Sequence, residues 1–281
     1  MKRTDRICRI LQILMENPNR VFPLGYFAAL FDCAKSSVSQ DMKTIRESVA
    51  EGGYGRVTIA TGARGGVRYM PHISGEKAQE TLREIQRKFL ETDRVLGSGF
   101  LYTSDIMFDP GIARGAAGIF ARRFAESEAT CVVTVETKGI AIAAFTAELL
   151  HLPLIVLRRE SKISEGSTVS INYFSGSADR IQKMSLAKRA LQPGAKALII
   201  DDFMRGGGSI KGIQDMLGEF DAHTVGIGVM IVAESDHRKK IGDYFPLLLL
   251  DLDEKGEGVA GVRLNPEIEN NGLQVESQPE K

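Results

Sequence analysis

The chain has no tryptophan, only three cysteines and nine prolines, and no excess of charge of either sign: 36 basic side chains face 36 acidic ones in 281 residues. Each shortage excludes something. Cys8, Cys33 and Cys131 are too few, too scattered and odd in number for a disulfide framework, and His72, His151, His223 and His237 share no ligand spacing with them. No metal site is expected. Apolar runs such as Phe245 to Leu250 are far too short to cross a bilayer, and the charged start, Met1 to Arg9, lacks a signal-peptide core. A cytoplasmic protein with no membrane partner is the expectation. At 43% hydrophobic and 26% charged residues the composition is that of a globular chain, and the length suggests about two domains.

The neutrality hides a split. Residues Met1 to His72 carry eleven Lys or Arg against six Asp or Glu, a surplus of five positive charges that the remainder balances. Such asymmetry points to a basic module that meets a polyanion, joined to a module with other work. In Thr4 to Glu16, Ile7, Ile10, Leu11 and Leu14 recur at helical spacing, with Thr4 as cap and Asn17-Pro18 as stop. Pro23 opens a second helix, Leu24 to Phe31. After the turn Asp32 to Lys35, a third helix capped by Ser36 or Ser37 runs to about Val49, with Val38, Met42 and Ile45 inward. Two helices across a short turn form a helix-turn-helix, whose second helix offers polar residues to the major groove. Ser36, Ser37, Ser39, Gln40, Lys43 and Arg46 lie on or near that face. Gly55 to Met70 alternates about the turn Thr61 to Gly66 and reads as a β-hairpin carrying Arg56, Arg64 and Arg68. This first quarter resembles the winged-helix family. Together with Lys2 and Arg3, those side chains are the expected contacts to double-stranded DNA. Gly75 to Thr92, with Ala78, Leu82, Ile85 and Phe89 on one stripe, reads as a connecting helix.

From Val95 onward short apolar runs alternate with amphipathic helices, the pattern of a buried, mostly parallel sheet. The informative stretch is Ala197 to Ser209. Four apolar residues form a strand, Asp201 and Asp202 sit at its carboxyl end, and Phe203-Met204-Arg205-Gly206-Gly207-Gly208-Ser209 leads into a helix. Glycines let backbone N–H groups crowd around a phosphate, the helix N-terminus adds partial positive charge, and the paired acids accept hydrogen bonds from vicinal ribose hydroxyls. No Gly-Lys-Ser/Thr closes the loop as in a P-loop, and the acids precede the glycines, opposite to a dinucleotide fingerprint.

This stretch resembles the 5-phosphoribosyl-1-pyrophosphate (PRPP) motif of the type I phosphoribosyltransferases. Val135 to Ile140, with Thr137, Lys138 and Gly139, stands where that family binds pyrophosphate. Arg158 to Gly176 stands where it carries a mobile hairpin closing over PRPP and magnesium. Phe100-Leu101-Tyr102, Asp109-Pro110 and the helix through Ala121 to Ala125 resemble the xanthine phosphoribosyltransferases, in which a small amide residue meets the base where Tyr102 stands here. Arg205 puts a fixed charge where most of those enzymes have a small residue.

As a whole the chain resembles the purine-operon repressors of Gram-positive bacteria, a winged helix-turn-helix fused to a type I phosphoribosyltransferase-like domain of the α/β class. The resemblance implies a DNA-binding domain at 1–73, a connector at 74–92, an effector domain at 93–265 and a polar tail at 266–281. It further implies a homodimer that represses purine synthesis and salvage genes, is released by PRPP bound with Mg2+, and has no transferase activity and no catalytic residues. Purine nucleotides such as guanosine tetraphosphate are expected to compete. An active purine phosphoribosyltransferase with a regulatory N-terminal domain is the alternative.

Overall fold

The computed structural model describes all residues except 54, 61–64, 91–93, 97–99, 161–165, 176–179, 235–240, 254–258 and 272–281. Helices α1 (Arg3–Glu16), α2 (Leu24–Leu30) and α3 (Lys35–Gly52) precede the strands β1 (Gly55–Ala60) and β2 (Gly66–Pro71). Lys2, not Thr4, holds the cap position of α1, and its side chain makes no cap bond. Likewise Ser36 and Ser37 fall inside α3, whose cap position is Ala34. The turn closes early because Asp32 adopts φ 47° and the Cys33 N–H donates to the Ala28 carbonyl at 3.0 Å.

The hairpin is antiparallel, with Val57 opposite Tyr69 and Ile59 opposite Val67. Phe22 adds a short third edge by exchanging backbone hydrogen bonds with Val67 at 2.8 Å each way. Gly66 permits that approach, since a Cβ there would sit 2.6 Å from the Phe22 carbonyl oxygen. Ile10, Leu14, Phe27, Val38, Met42, Ile45 and Val67 close one core between helices and hairpin.

Next comes α4 (Gly75–Leu90), whose stripe Ala78, Leu82, Ile85 and Phe89 is wholly buried. After it follow β3 (Val95–Leu96), β4 (Phe100–Leu101), α5 (Ser104–Met107), α6 (Pro110–Arg123), β5 (Cys131–Val135), α7 (Gly139–Leu150) and β6 (Leu154–Leu157). Then come β7 (Thr168–Ser175), β8 (Arg180–Ala187), β9 (Lys196–Met204), α8 (Gly208–Gly218), β10 (His223–Glu234), β11 (Phe245–Leu252), β12 (Val259–Leu264) and α9 (Pro266–Asn271). Six strands form one sheet in the order β12-β11-β10-β9-β5-β6. All neighbours are parallel except β11 and β12. Strands β7 and β8 pair separately as an antiparallel hairpin.

Two apolar layers cover the two faces of the sheet. One contains α4, α6 and α7 residues packed on Leu198, Ile200, Met230 and Leu248. The other sets α8 and the β7–β8 hairpin against Val133, Ile199 and Val229. The chain after Asn265, expected as a tail, begins instead with α9. Asn265 accepts from the Glu267 N–H at 2.9 Å ahead of Pro266, a helix-start signal, and Ile268 is fully buried. Residues 272–281 of that expected tail lie outside the described ones.

Candidate functional site

Strand β9 lies between β5 and β10, so it is buried on both faces and delivers its carboxyl end to the crevice where open α/β sheets bind ligands. It runs four residues past the apolar quartet, carrying both acids within the strand. Asp201 is 3% exposed, and one of its oxygens accepts from the Asp202 N–H at 3.0 Å. Burial, then the neighbouring Asp202 charge, pushes the Asp201 carboxyl well above the usual carboxylate range. Asp202 is also raised by burial, with Asp201, Lys138 and Arg159 acting in the other direction.

Beyond the acids, Gly207 takes φ 78° and holds the cap position of α8 without any side-chain cap. The first N–H groups of α8 thus face the crevice end of β9 with the positive end of the helix dipole. Phe203 packs partly on the core and Met204 is 2% exposed. Met204 is therefore a core side chain, and only its backbone stands near the loop. Gly206, Gly208, Ser209 and the half-buried Arg205 complete the turn.

The second loop meets the first from β5. The Glu136–Thr137 peptide is cis, Lys138 holds the cap position of α7, and its Nζ donates to Thr103 Oγ1 at 2.9 Å. Gly139 lets α7 start against the acids: a Cβ there would lie 2.7 Å from Thr134 Oγ1 and 3.2 Å from Asp201 Oδ1. Tyr102, 45% exposed, is clamped through its backbone, its N–H donating to the Arg94 carbonyl at 2.8 Å and its own carbonyl accepting from Arg94 Nη1 at 3.1 Å. Arg94 is itself held by Asp105 at 2.8 Å.

Four of these contributors escaped the sequence reading. Arg159 acts electrostatically on both acids, Glu136 accepts from the Arg159 N–H at 2.7 Å and pairs with Arg158, and Thr103 and Arg94 hold Lys138 and Tyr102. The only sequence signal was the Arg158-Arg159 pair directly after β6. Of the Arg158 to Gly176 stretch expected to close over the crevice, Thr168–Ser175 is the strand β7 paired with β8, and residues 161–165 and 176 lie outside the described ones.

On the basic unit, Ser36, Ser39, Gln40, Lys43 and Arg46 are exposed along α3 and Ser37 is half-buried. Lys2 is exposed, whereas Arg3 donates to Asp41 at 3.0 Å beside Arg6 at 2.6 Å, so its guanidinium ties α1 to α3. Asp41, which follows the exposed Gln40, is fully buried. Arg68 is half-buried on β2. Arg56 sits at the hairpin base and lines a cleft against the second unit. Arg64 lies outside the described residues.

Comparison with known proteins agrees with this two-part layout. Residues 2–71 match the family model described as bacterial purine repressor, N-terminal, and residues 103–261 match the phosphoribosyl transferase domain. The chain is 39% identical over 249 residues to the purine biosynthesis transcriptional repressor PurR of Bacillus subtilis, covering 89% of this chain and 87% of the relative. It is 37% identical over 251 residues to the purine biosynthesis transcriptional activator PurR of Lactococcus lactis, covering 89% and 93% respectively. Adenine phosphoribosyltransferase of Thermoanaerobacter pseudethanolicus superposes with a TM-score of 0.52 at 19% identity, over 60% of this chain and 98% of that one. At that identity the match shows the fold alone.

Proposed function

We propose that this chain, which belongs to the family of purine biosynthesis transcriptional regulators, represses purine synthesis and salvage genes through operator DNA and is released when PRPP occupies the acid-pair crevice. One observation carries the effector reading. The Asp201–Asp202 pair, the first acid buried and the second half-buried, stands between the β9–α8 and β5–α7 loops, an arrangement that is costly to an empty protein and useful to a sugar polyphosphate. The ribose hydroxyls donate to the two carboxylates, the backbone of 205–209 and the α8 N-terminus take the 5-phosphate, and Lys138 with its loop takes the pyrophosphate.

Paired carboxylates are hard oxygen donors that suit Mg2+, and the ion, when bound, offsets pyrophosphate charge. Arg205 on the phosphate loop favours tight anion binding over turnover, because uniform binding does not speed a chemical step, and Tyr102 stacks on a base or fills its space where the enzymes have a small amide residue. The reading is therefore a sensor without transferase activity. Purine nucleotides bearing diphosphates, guanosine tetraphosphate among them, compete by placing anions on the same two loops. On the DNA side, the exposed face of α3 enters the major groove and the protein acts as a homodimer.

A gel shift with duplexes from upstream of purine genes, with and without PRPP and Mg2+, tests the whole. The expected result is a retarded complex that PRPP dissolves; absence of any complex at low salt defeats the repressor reading. Incubation with PRPP, Mg2+ and each purine base is expected to yield no nucleotide, and steady formation would overturn the sensor reading. Sedimentation is expected to show a dimer.

A further inference from the structure

Between the basic unit and the second unit lies a cleft of about 1130 Å³, at the end of the sheet opposite the acid pair. Its floor is the start of β10 (Val225, Gly226, Ile227) and of β11 (Phe245), whereas Asp201, Asp202 and the α8 turn stand at the carboxyl ends of the strands. The crevice already described plays no part in it.

The two units line the cleft jointly with basic side chains. Arg56 comes from β1, His72 follows β2, and Arg122 and Arg123 come from the last turn of α6. Arg122 is half-buried and donates to the Ile73 carbonyl at 3.0 Å, which fixes its guanidinium at the junction. Arg123 lies over the rings of Phe124 and Phe245, 5.7 and 5.2 Å from their centroids. The charges at one corner are close enough to act on each other. Burial and then Arg56 lower the Arg122 pKa, and burial, then Arg122, with a lesser push from Arg56, lower that of His72. Folding has thus set Arg56 and Arg122 in one recess beside an imidazole whose cationic form is disfavoured, a cost that a bound anion offsets. Glu126, Asp243 and Glu267 also line the cleft, so its positive charge is local to the corner where Arg56, His72 and Arg122 converge.

We infer that this corner is a second anion site, taking the phosphate groups of a small phosphorylated metabolite at the seam between the two units. A DNA backbone offers the same chemistry, but the topology disfavours it. Only two residues separate the end of α3 at Gly52 from the start of β1 at Gly55. The start of α3 and the Ala60–Gly66 end of the hairpin therefore share one end of the basic unit, and Arg56 marks the other, roughly 20 Å along a six-residue strand.

Inorganic tripolyphosphate titrated calorimetrically into the full chain at 150 mM salt tests the site. Lys138→Gln is included to weaken the first crevice. In that background one binding event is expected to remain, weakened at least tenfold by Arg56→Gln or His72→Gln and unchanged by Arg83→Gln, an exposed cation on α4. Arg56 is exposed, so its replacement preserves the fold, which circular dichroism checks. Less than a twofold change in Arg56→Gln, or an equal loss in Arg83→Gln, overturns the site. If Arg56→Gln leaves tripolyphosphate binding intact but weakens a random-sequence duplex as strongly as Lys43→Gln does, the recess serves DNA and the proposal is wrong. Retained PRPP release of DNA in Arg56→Gln keeps this outcome separate from the fate of the effector reading.

Discussion

Asp201 illustrates how a side chain can oppose the fold it belongs to. Its carboxyl is held above the usual range first by burial and then by Asp202, so the folded protein binds a proton more readily than the unfolded chain does. The stability tied to that proton is complete below the ordinary carboxylate range and is lost as pH rises through the raised value. Asp201→Asn keeps an oxygen to accept the Asp202 N–H and removes the charge. We expect it to raise the denaturant midpoint at pH 8 relative to the native chain, with the gain shrinking toward pH 4, while abolishing the PRPP response. A midpoint that falls equally at both pH values would show that the acid is structural. Asp202→Ala is expected to retain DNA binding in a gel shift while losing sensitivity to PRPP. At Gly139 the limit is steric: Gly139→Ala puts a Cβ 2.7 Å from Thr134 Oγ1, costing about 1–3 kcal/mol in an overpacked site. Urea unfolding measures that cost, and a loss of PRPP binding should accompany it.

Among the elements, α3 separates its two tasks by face. Val38, Met42 and Ile45 are buried, and Lys43 and Arg46 are exposed. Lys43→Ala or Arg46→Ala is expected to weaken all DNA sequences alike and to reduce the slope of log K against log salt by about 0.9 each. An unchanged slope would mean that the cation never meets a phosphate. Elements with strong local signals were legible without coordinates. Helix α7 and strand β6 belong to the alternation of amphipathic helices and short apolar runs expected from Val95 onward; they part cleanly because His151 takes φ 57° at the helix end and Pro153 follows. Elements that depend on partners were not. Val259–Leu264 is an edge strand interrupted by Gly261 and ordered by its antiparallel pairing with β11, and β3 and β4 have two residues each. The site divides the same way. Its acids and glycines announce themselves by spacing and Lys138 by the resemblance, whereas Arg94 and Thr103 arrive by tertiary approach, and Glu136 and Arg159, though inside the stretches Val135 to Ile140 and Arg158 to Gly176, gain their roles only from the contact between the β5 and β6 ends.

At the scale of the molecule, an effector can move a DNA equilibrium only through a path that both ligands bias. Helix α7 offers that path, about 18 Å long for twelve residues. Its first turn carries Lys138 and Gly139 at the effector crevice. The carbonyls of Leu149 and Leu150, at its other end, accept from Asn19 Nδ2 at 3.3 and 3.2 Å. Asn19 stands between α1 and α2 with φ 62°, and its own N–H donates to the Tyr69 carbonyl at 2.8 Å, so a shift of α7 reaches helices and hairpin together. Coupling free energy is reciprocal: if PRPP weakens operator binding by a given factor, operator DNA weakens PRPP binding by the same factor. Asn19→Ala is expected to leave each affinity, measured alone, within about twofold, and to reduce that shared factor when both ligands are present. Fluorescence anisotropy of labelled operator across PRPP concentrations, and calorimetry of PRPP with and without operator, give the factor from both sides. A coupling factor in Asn19→Ala equal to that of the native chain would remove α7 from the path and place the communication elsewhere in the seam between the units.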